Sequence, residues 1–92
     1  MYKPMKRVPK ENKVREKILE ELRKKGHLHI PLVQGEGLPD LLVLPKRTTW
    51  STPEPYFIEI KRPGGKTRPN QDGMIAELRR NGYEVKVRDS SG

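Results

Sequence analysis

Residues 38–44 (LPDLLVL) are apolar at almost every position, but Asp40 interrupts the run near its start. Such a continuous apolar strand is typical of a strand buried on both faces. A second apolar strand is predicted over residues 56–61, and it contains Glu59 and Lys61. A buried carboxylate is unfavourable unless it is paired or bound to a metal ion. The fold must therefore bury two strands and also accommodate the charges within them.

Four other segments complete the predicted order of elements. A helix is expected over 11–25, a short strand over 27–33, a second helix over 69–81 and an alternating strand over 83–88. Pro31 lacks a backbone N–H, which favours an edge position for its strand. The order α-β-β-β-α-β predicts an α/β fold, with three antiparallel strands, a right-handed parallel crossover and a mixed four-stranded sheet flanked by helices. The apolar positions expected on the inner sides of the two helices are Val14, Ile18, Leu19, Leu22, Met74, Ile75 and Leu78. Those expected on the buried face of the last, half-buried strand are Tyr83, Val85 and Val87.

Length and charge limit the possible functions. The 92 residues carry 20 Lys and Arg against 12 Asp and Glu, a net charge of +8. We expect one domain over 11–88, preceded by a flexible basic arm over 1–10 and followed by a frayed tail over 89–92. The excess of cations favours an anionic partner, most often nucleic acid.

Absent features narrow the class of protein further. The sequence has no cysteine, which excludes disulfides and zinc–thiolate sites. No apolar run approaches the about 18 residues that span a membrane, and the N-terminus lacks the apolar core of a secretion signal. We therefore expect a cytoplasmic protein with no membrane partner.

The charged residues in the two apolar strands suggest a metal site. Glu59 and Lys61 lie two residues apart, so they share one face of their strand. If the two strands are neighbours, Asp40 and Glu59 converge at one end of the sheet. Two carboxylates, with the backbone carbonyl of Ile60 as a further ligand, suit Mg²⁺ or Mn²⁺. With Lys61 as a cation for the attacked phosphate, these parts suit metal-assisted phosphodiester hydrolysis.

A longer pattern surrounds these residues. Pro39-Asp40, followed after 18 residues by Glu59-Ile60-Lys61, matches the PD-(D/E)xK nuclease signature. From about Glu11 to Arg88 the chain resembles a stand-alone VRR-NUC (virus-type replication-repair nuclease) domain of that superfamily. The segments that carry the resemblance are 37–43 (GLPDLLV), 57–65 (FIEIKRPGG), 68–71 (RPNQ) and 78–85 (LRRNGYEV).

The resemblance implies a metal-dependent DNase with a restriction-endonuclease-like core. It implies that Asp40 and Glu59 bind the metal, that Lys61 is catalytic and that Gln71, on the second helix, faces the active site. Small members of the family are similar to Holliday-junction resolvases, which act as homodimers on branched DNA. The resemblance also suggests a phage or prophage source, and so the cytoplasm of a bacterial or phage-infected cell.

The sequence leaves some site residues open. In the family, a glutamate of the first helix commonly completes the metal site. Glu11 is the better match and Glu16 the alternative, but the two lie roughly 140° apart around the helix, so only one can face the pocket. Arg15, one turn after Glu11, pairs either with that glutamate or with DNA. Further candidates for DNA binding are Lys66, Arg68 and Arg79.

Trp50 lies in a polar connection between the two apolar strands. It either packs on the domain or is an exposed aromatic that can stack on an unpaired base or join a dimer contact.

Three other functions compete with the resolvase. They are a non-catalytic DNA-binding module on the same fold, a flap or single-strand nuclease and a structural RNA-binding protein. The intact Asp40–Glu59–Lys61 set favours an enzyme, because a pure DNA binder gains nothing from two acids facing a polyanion.

Overall fold

The structure is a computed structural model that describes residues 10–33, 37–61 and 69–89. Side chains are described from residue 13 in the first range and from residue 71 in the third. The predicted basic arm, apart from the backbone of Lys10, and residues 90–92 of the predicted tail lie outside this part of the chain. The elements are α1 (Lys10–Lys25), β1 (Leu28–Pro31), β2 (Leu41–Leu44), β3 (Tyr56–Ile60), α2 (Pro69–Arg80) and β4 (Glu84–Arg88).

The four strands form one mixed sheet in the order β1-β2-β3-β4. β1 pairs antiparallel with β2, and β2 pairs antiparallel with β3. β4 returns through α2 to lie parallel to β3. The predicted order of elements and the mixed sheet are confirmed. Pro31 lies in an edge strand, where its missing N–H is tolerated.

Helix α1 covers one face of the sheet. Its buried stripe, Val14, Ile18 and Leu22, recurs every four residues and packs against the inner positions of β2 and β3. Burial of each such aliphatic side chain contributes roughly 1.5–3 kcal/mol. The buried strand residues of this core are Leu41, Val43, Ile58 and Ile60.

The other face of the sheet is less completely covered. α2 packs on β4, where Ile75 and Val85 are buried. The prediction that Tyr83 and Val87 also face a core is wrong, because their side chains are 54% and 46% exposed. The prediction that β2 is buried on both faces also fails in part. Leu42 and Leu44 are only half-buried, since α2 packs on β4 and not on β2.

The end of α1 is well defined. Gly26 has a φ of 76°, and its N–H bonds to the carbonyl of Arg23 while the N–H of His27 bonds to the carbonyl of Leu22. This is the Schellman arrangement, in which glycine takes the left-handed position without strain. None of the helices in the described residues is long and apolar enough to cross a membrane.

Candidate active site

The two acidic residues meet at one end of the sheet. Leu41 pairs with Ile58, so Asp40 and Glu59 occupy the next opposed positions of the two antiparallel strands. Both residues are buried: Asp40 is 6% exposed and Glu59 is 1% exposed. The carboxyl groups are close enough for a hydrogen bond between them. The predicted convergence of Asp40 and Glu59 is therefore observed.

Asp40 is held by backbone and side-chain contacts. Its Oδ2 accepts a 2.8 Å hydrogen bond from the N–H of Ile60. Its Oδ1 lies 3.7 Å from Nη1 of Arg15, which reaches the site from α1. Its own carbonyl accepts from the N–H of Leu32 at 2.9 Å. These contacts fix the carboxylate although Asp40 itself precedes β2.

Glu59 is only half satisfied. Its Oε2 lies 3.1 Å from Nζ of Lys61, while its buried Oε1 has no hydrogen-bond partner among the described residues. Burial and the neighbouring charge of Asp40 raise the pKa of Glu59 from 4.5 to about 7, and Lys61 acts in the opposite direction. Near neutral pH, therefore, the carboxyl group of Glu59 is either protonated or ionised with a cation beside it.

Lys61 lies immediately after β3, which ends one residue earlier than predicted. Its N–H donates to the carbonyl of Arg88 at 2.7 Å, which ties the backbone to β4. Its ammonium bridges Glu59 and Gln71, because Nζ also donates to Oε1 of Gln71 at 3.0 Å. Gln71 is buried in the first turn of α2. The structure thus brings the four residues predicted as catalytic into one cluster.

The donor set fits a hard divalent cation. Two facing carboxylates repel each other, and the unpartnered Oε1 of Glu59 is the atom that a cation would satisfy. In an extended strand the N–H and C=O of one residue point to the same side. The carbonyl of Ile60 therefore lies on the β2 side of β3, the side on which its N–H meets Asp40. The described residues contain no cluster of three or more His, Cys, Asp or Glu side chains that could hold an ion.

The remaining predicted site residues are placed differently. The backbone of Glu11 lies in α1, but its side chain lies outside the described part of the chain, as do Lys66 and Arg68. Glu16 is exposed. Nη2 of Arg79 donates to the carbonyl of Val85 at 2.7 Å, so this guanidinium joins α2 to β4.

Sequence analysis missed two contacts of Asp40. The sequence predicts that Arg15 pairs with Glu11 or with DNA, whereas in the structure it pairs with Asp40. The second contact is the hydrogen bond that Asp40 accepts from the N–H of Ile60. The signal for the second contact is the register of the two strands. When Leu41 pairs with Ile58, residues 40 and 59 are opposed, and Asp40 therefore lies beside Ile60.

An α-β-β-β-α-β fold with an acidic pair and a lysine at one end of its central strands is consistent with a nuclease fold. A family model of the VRR-NUC domain matches residues 2–92, essentially the whole chain. The chain belongs to the VRR-NUC family, and its function is of the nuclease type: it is a hydrolase with DNA as substrate. Nuclease domains of this kind generally use a divalent metal. No match was found among curated proteins.

Proposed function

We propose that this nuclease is an Mg²⁺- or Mn²⁺-dependent, structure-selective DNA endonuclease that cuts branched DNA as a homodimer, in the manner of a Holliday-junction resolvase. The observation that carries the proposal is the facing pair of buried carboxylates, Asp40 and Glu59, with the ammonium of Lys61 on the same side.

Each side chain of the cluster has a role. Asp40, Glu59 and the carbonyl of Ile60 would hold the ion, and Glu11 would be a further ligand. A bound divalent ion lowers the pKa of its water ligand and neutralises charge on a phosphoryl oxygen. Lys61 lies 3.1 Å from Glu59 and so faces the same space, where its ammonium stabilises the charge that develops on the attacked phosphate. Gln71 positions that ammonium.

DNA is bound by cations at this cluster and by others farther along the domain, among them Arg79 in the last turn of α2. Arg15 lies at the site itself and is part exposed, which allows it to contact a phosphate. Arg79 keeps N–H donors beyond the one used for Val85, because a guanidinium has five. Lys66 and Arg68 complete the proposed DNA-binding set. All four depend on charge, so binding should weaken steeply with salt.

The branched substrate and the homodimer have separate support. A net charge of +8 on 92 residues suits contact with more than one duplex arm. Leu28 and Ile30 of edge strand β1 are exposed, and Leu42 and Leu44 lie beside them on the same face. This apolar strip suits contact with a second copy. We also propose a cytoplasmic location, in a bacterial or phage-infected cell.

The second candidate is a DNA-binding module without activity. Both proteins would bind DNA through the same cations. The buried acids disfavour the module, because they repel phosphate and destabilise the fold unless an ion compensates them.

Cleavage of a labelled four-way junction, a flap and a plain duplex in Mn²⁺ tests the proposal. Wild type should cut the junction at paired positions, while Asp40→Asn and Lys61→Ala should bind the junction and not cut it. Equal cleavage by wild type and both variants contradicts the site. Preference for flaps contradicts the resolvase proposal alone. A monomer in light scattering at micromolar concentration contradicts the paired cut.

A further inference from the structure

A cluster of exposed cations lies at the end of the sheet opposite the active site. Asp40 precedes β2 and Glu59 lies near the end of β3, so the connection between these strands, residues 45–55, leaves from the other end. The last turn of α1 ends there as well. We call the cluster the basic end; its members are Arg23, Lys24, Lys25, Lys46 and Arg47, all exposed.

Two contacts join the parts of the basic end. The backbone N–H of Lys46 donates to Nδ1 of His27 at 3.0 Å, which attaches the connection to the end of α1. The side chain of Lys46 lies across Gly26, where a Cβ would be 3.3 Å from its Cδ. Glu20 pairs with Lys24 at 3.5 Å. Cations remain in clear excess after that pair is counted.

Trp50 projects from the same connection and is 93% exposed. It lies on a small hydrogen-bonded turn, in which the N–H of Thr48 donates to the carbonyl of Ser51 at 2.9 Å. The N–H of Trp50 donates to Oγ1 of Thr48 at 3.2 Å. The turn therefore keeps the indole exposed. This exposure does not affect the packing of the core, because Trp50 is not one of the described core residues.

We propose that Trp50 and the basic end form a second DNA-binding site, separate from the catalytic cluster, in which the indole stacks on a nucleobase that has lost a stacking neighbour. The proposal rests on the nuclease function and names the substrate class for it: DNA with an unstacked base at a flap, gap, bulge or open crossover. Aromatic faces and clustered cations together are what binding of unpaired DNA requires, because bases stack and phosphates need counter-charge.

A protein partner is the less favoured occupant. Five exposed cations at the same end of the sheet as Trp50 are costly to bury against a protein surface unless each is paired. The same cations on a phosphate backbone release counterions and strengthen binding.

The distance from the active site sets the geometry. β2 alone has four residues and spans roughly 13 Å. Along a DNA axis parallel to the strand, at about 3.4 Å for each base pair, this separation corresponds to about four base pairs. The base that Trp50 recognises is therefore not the nucleotide whose phosphodiester is cut.

Trp50 is the only tryptophan, so its fluorescence reports directly on stacking. The full chain, in EDTA to prevent cleavage, is titrated with fluorescently labelled DNAs of equal length: a plain duplex, a duplex with a single-base bulge, a flap and a four-way junction. Unlabelled copies of the same DNAs are used for the tryptophan signal. We expect quenching of Trp50 by the bulged and flapped DNAs and little quenching by the plain duplex.

Variants separate stacking from charge. Trp50→Ala should weaken binding to the bulged DNA at least about fivefold and leave the plain duplex within twofold, and Trp50→Phe should restore most of the loss. Lys46→Gln with Arg47→Gln should weaken binding to all the DNAs and lower the salt dependence. The control, Lys13→Gln with Lys17→Gln, removes equal charge from exposed positions elsewhere on α1.

Several results would overturn the proposal. One is equal quenching by plain and bulged duplex, and another is Trp50→Ala binding that matches wild type on every DNA. A third is a change from dimer to monomer in Trp50→Ala without loss of preference for the bulge, which would assign the indole to a protein contact. Because binding is measured without cleavage, an inactive but bulge-selective protein would overturn the proposed activity and leave this site intact.

Discussion

The N–H of Ile60 and the carboxylate of Asp40, twenty residues apart in the chain, are joined by a buried 2.8 Å hydrogen bond. A residue proposed to hold the metal therefore also accepts from the N–H of the last residue of β3, which lies beyond the first residue of β2. The carboxylate of Asp40 thus contributes both to the fold and to the proposed metal site, and substitutions can separate these two roles.

Asp40→Asn and Asp40→Ala should differ in stability but not in activity. Asparagine keeps an oxygen that accepts from the Ile60 N–H, whereas alanine leaves that buried N–H without a partner. We expect alanine to lower the free energy of unfolding by about 1–3 kcal/mol relative to asparagine, measured in urea. Neither variant should cut DNA. Equal stability of the two variants would show that the hydrogen bond contributes nothing to the fold.

The stability of the metal-free protein should fall as pH rises through the pKa of Glu59. That pKa is raised from 4.5 to about 7, so between these values the folded state binds more protons than the unfolded state. The contribution is present in full below pH 4.5 and is lost as pH passes 7. From pH 5 to pH 8, wild type should lose on the order of 2–3 kcal/mol relative to Glu59→Gln, measured by denaturant unfolding in EDTA.

Mn²⁺ provides the control for this pH dependence. At pH 8 the ion should stabilise wild type by an amount that grows with concentration, because it binds the folded state alone. The same concentrations should have little effect on Glu59→Gln. A wild-type protein that gains stability from pH 5 to pH 8 relative to the variant would contradict the placement of Glu59 beside Asp40.

Most of the fold could be predicted from the sequence, because the spacing of its apolar residues is regular. Val14, Ile18 and Leu22 mark the buried side of α1, and they are the positions that the structure buries. Alternation alone did not predict the exposure of Val87. A period of two shows which residues share a face, but not how far the covering helix extends along it.

The arrangement of the candidate site could be predicted from the sequence to a similar extent. The positions of Asp40, Glu59 and Lys61 followed from strand periodicity and from a pairing of neighbouring strands. The contact between Arg15 and Asp40 did not, because it depends on how α1 is rotated and placed against the sheet. The exposure of Trp50 was also open, since a polar connection can fold back on the domain or project from it.

Gln71 should act as a positioning residue for Lys61. Its Oε1 lies 3.0 Å from the ammonium, and both side chains are largely buried. Gln71→Ala should lower the single-turnover cleavage rate by about ten- to a hundredfold, because a hydrogen bond to a charged group contributes about 1.5–3 kcal/mol. The affinity for DNA should stay within twofold.

Gln71→Glu is the matched control, since it keeps an oxygen near Nζ of Lys61. It should recover part of the rate that alanine loses, and Lys61→Ala should remain the more severe change. A Gln71→Ala enzyme as fast as wild type would show that Glu59 alone is sufficient to hold the ammonium.

Arg15 should have opposite effects on the two ligands of the site. Its guanidinium lies 3.7 Å from Oδ1 of Asp40, so it competes with a cation for that oxygen, yet it is also a candidate to bind a phosphate. Arg15→Gln should tighten Mn²⁺ binding about three- to tenfold in the absence of DNA, measured by calorimetry. It should weaken DNA binding and lower the salt slope by about one.

Lys17→Gln removes the same charge from an exposed position on the same helix and should leave Mn²⁺ affinity unchanged. The pair of variants distinguishes a local contact from the overall charge of the protein, because net charge changes equally in both. If Arg15→Gln and Lys17→Gln alter Mn²⁺ binding to the same extent, the ion responds to the field of the whole chain. If only Arg15→Gln does so, the guanidinium is the group that leaves Asp40 when the metal binds.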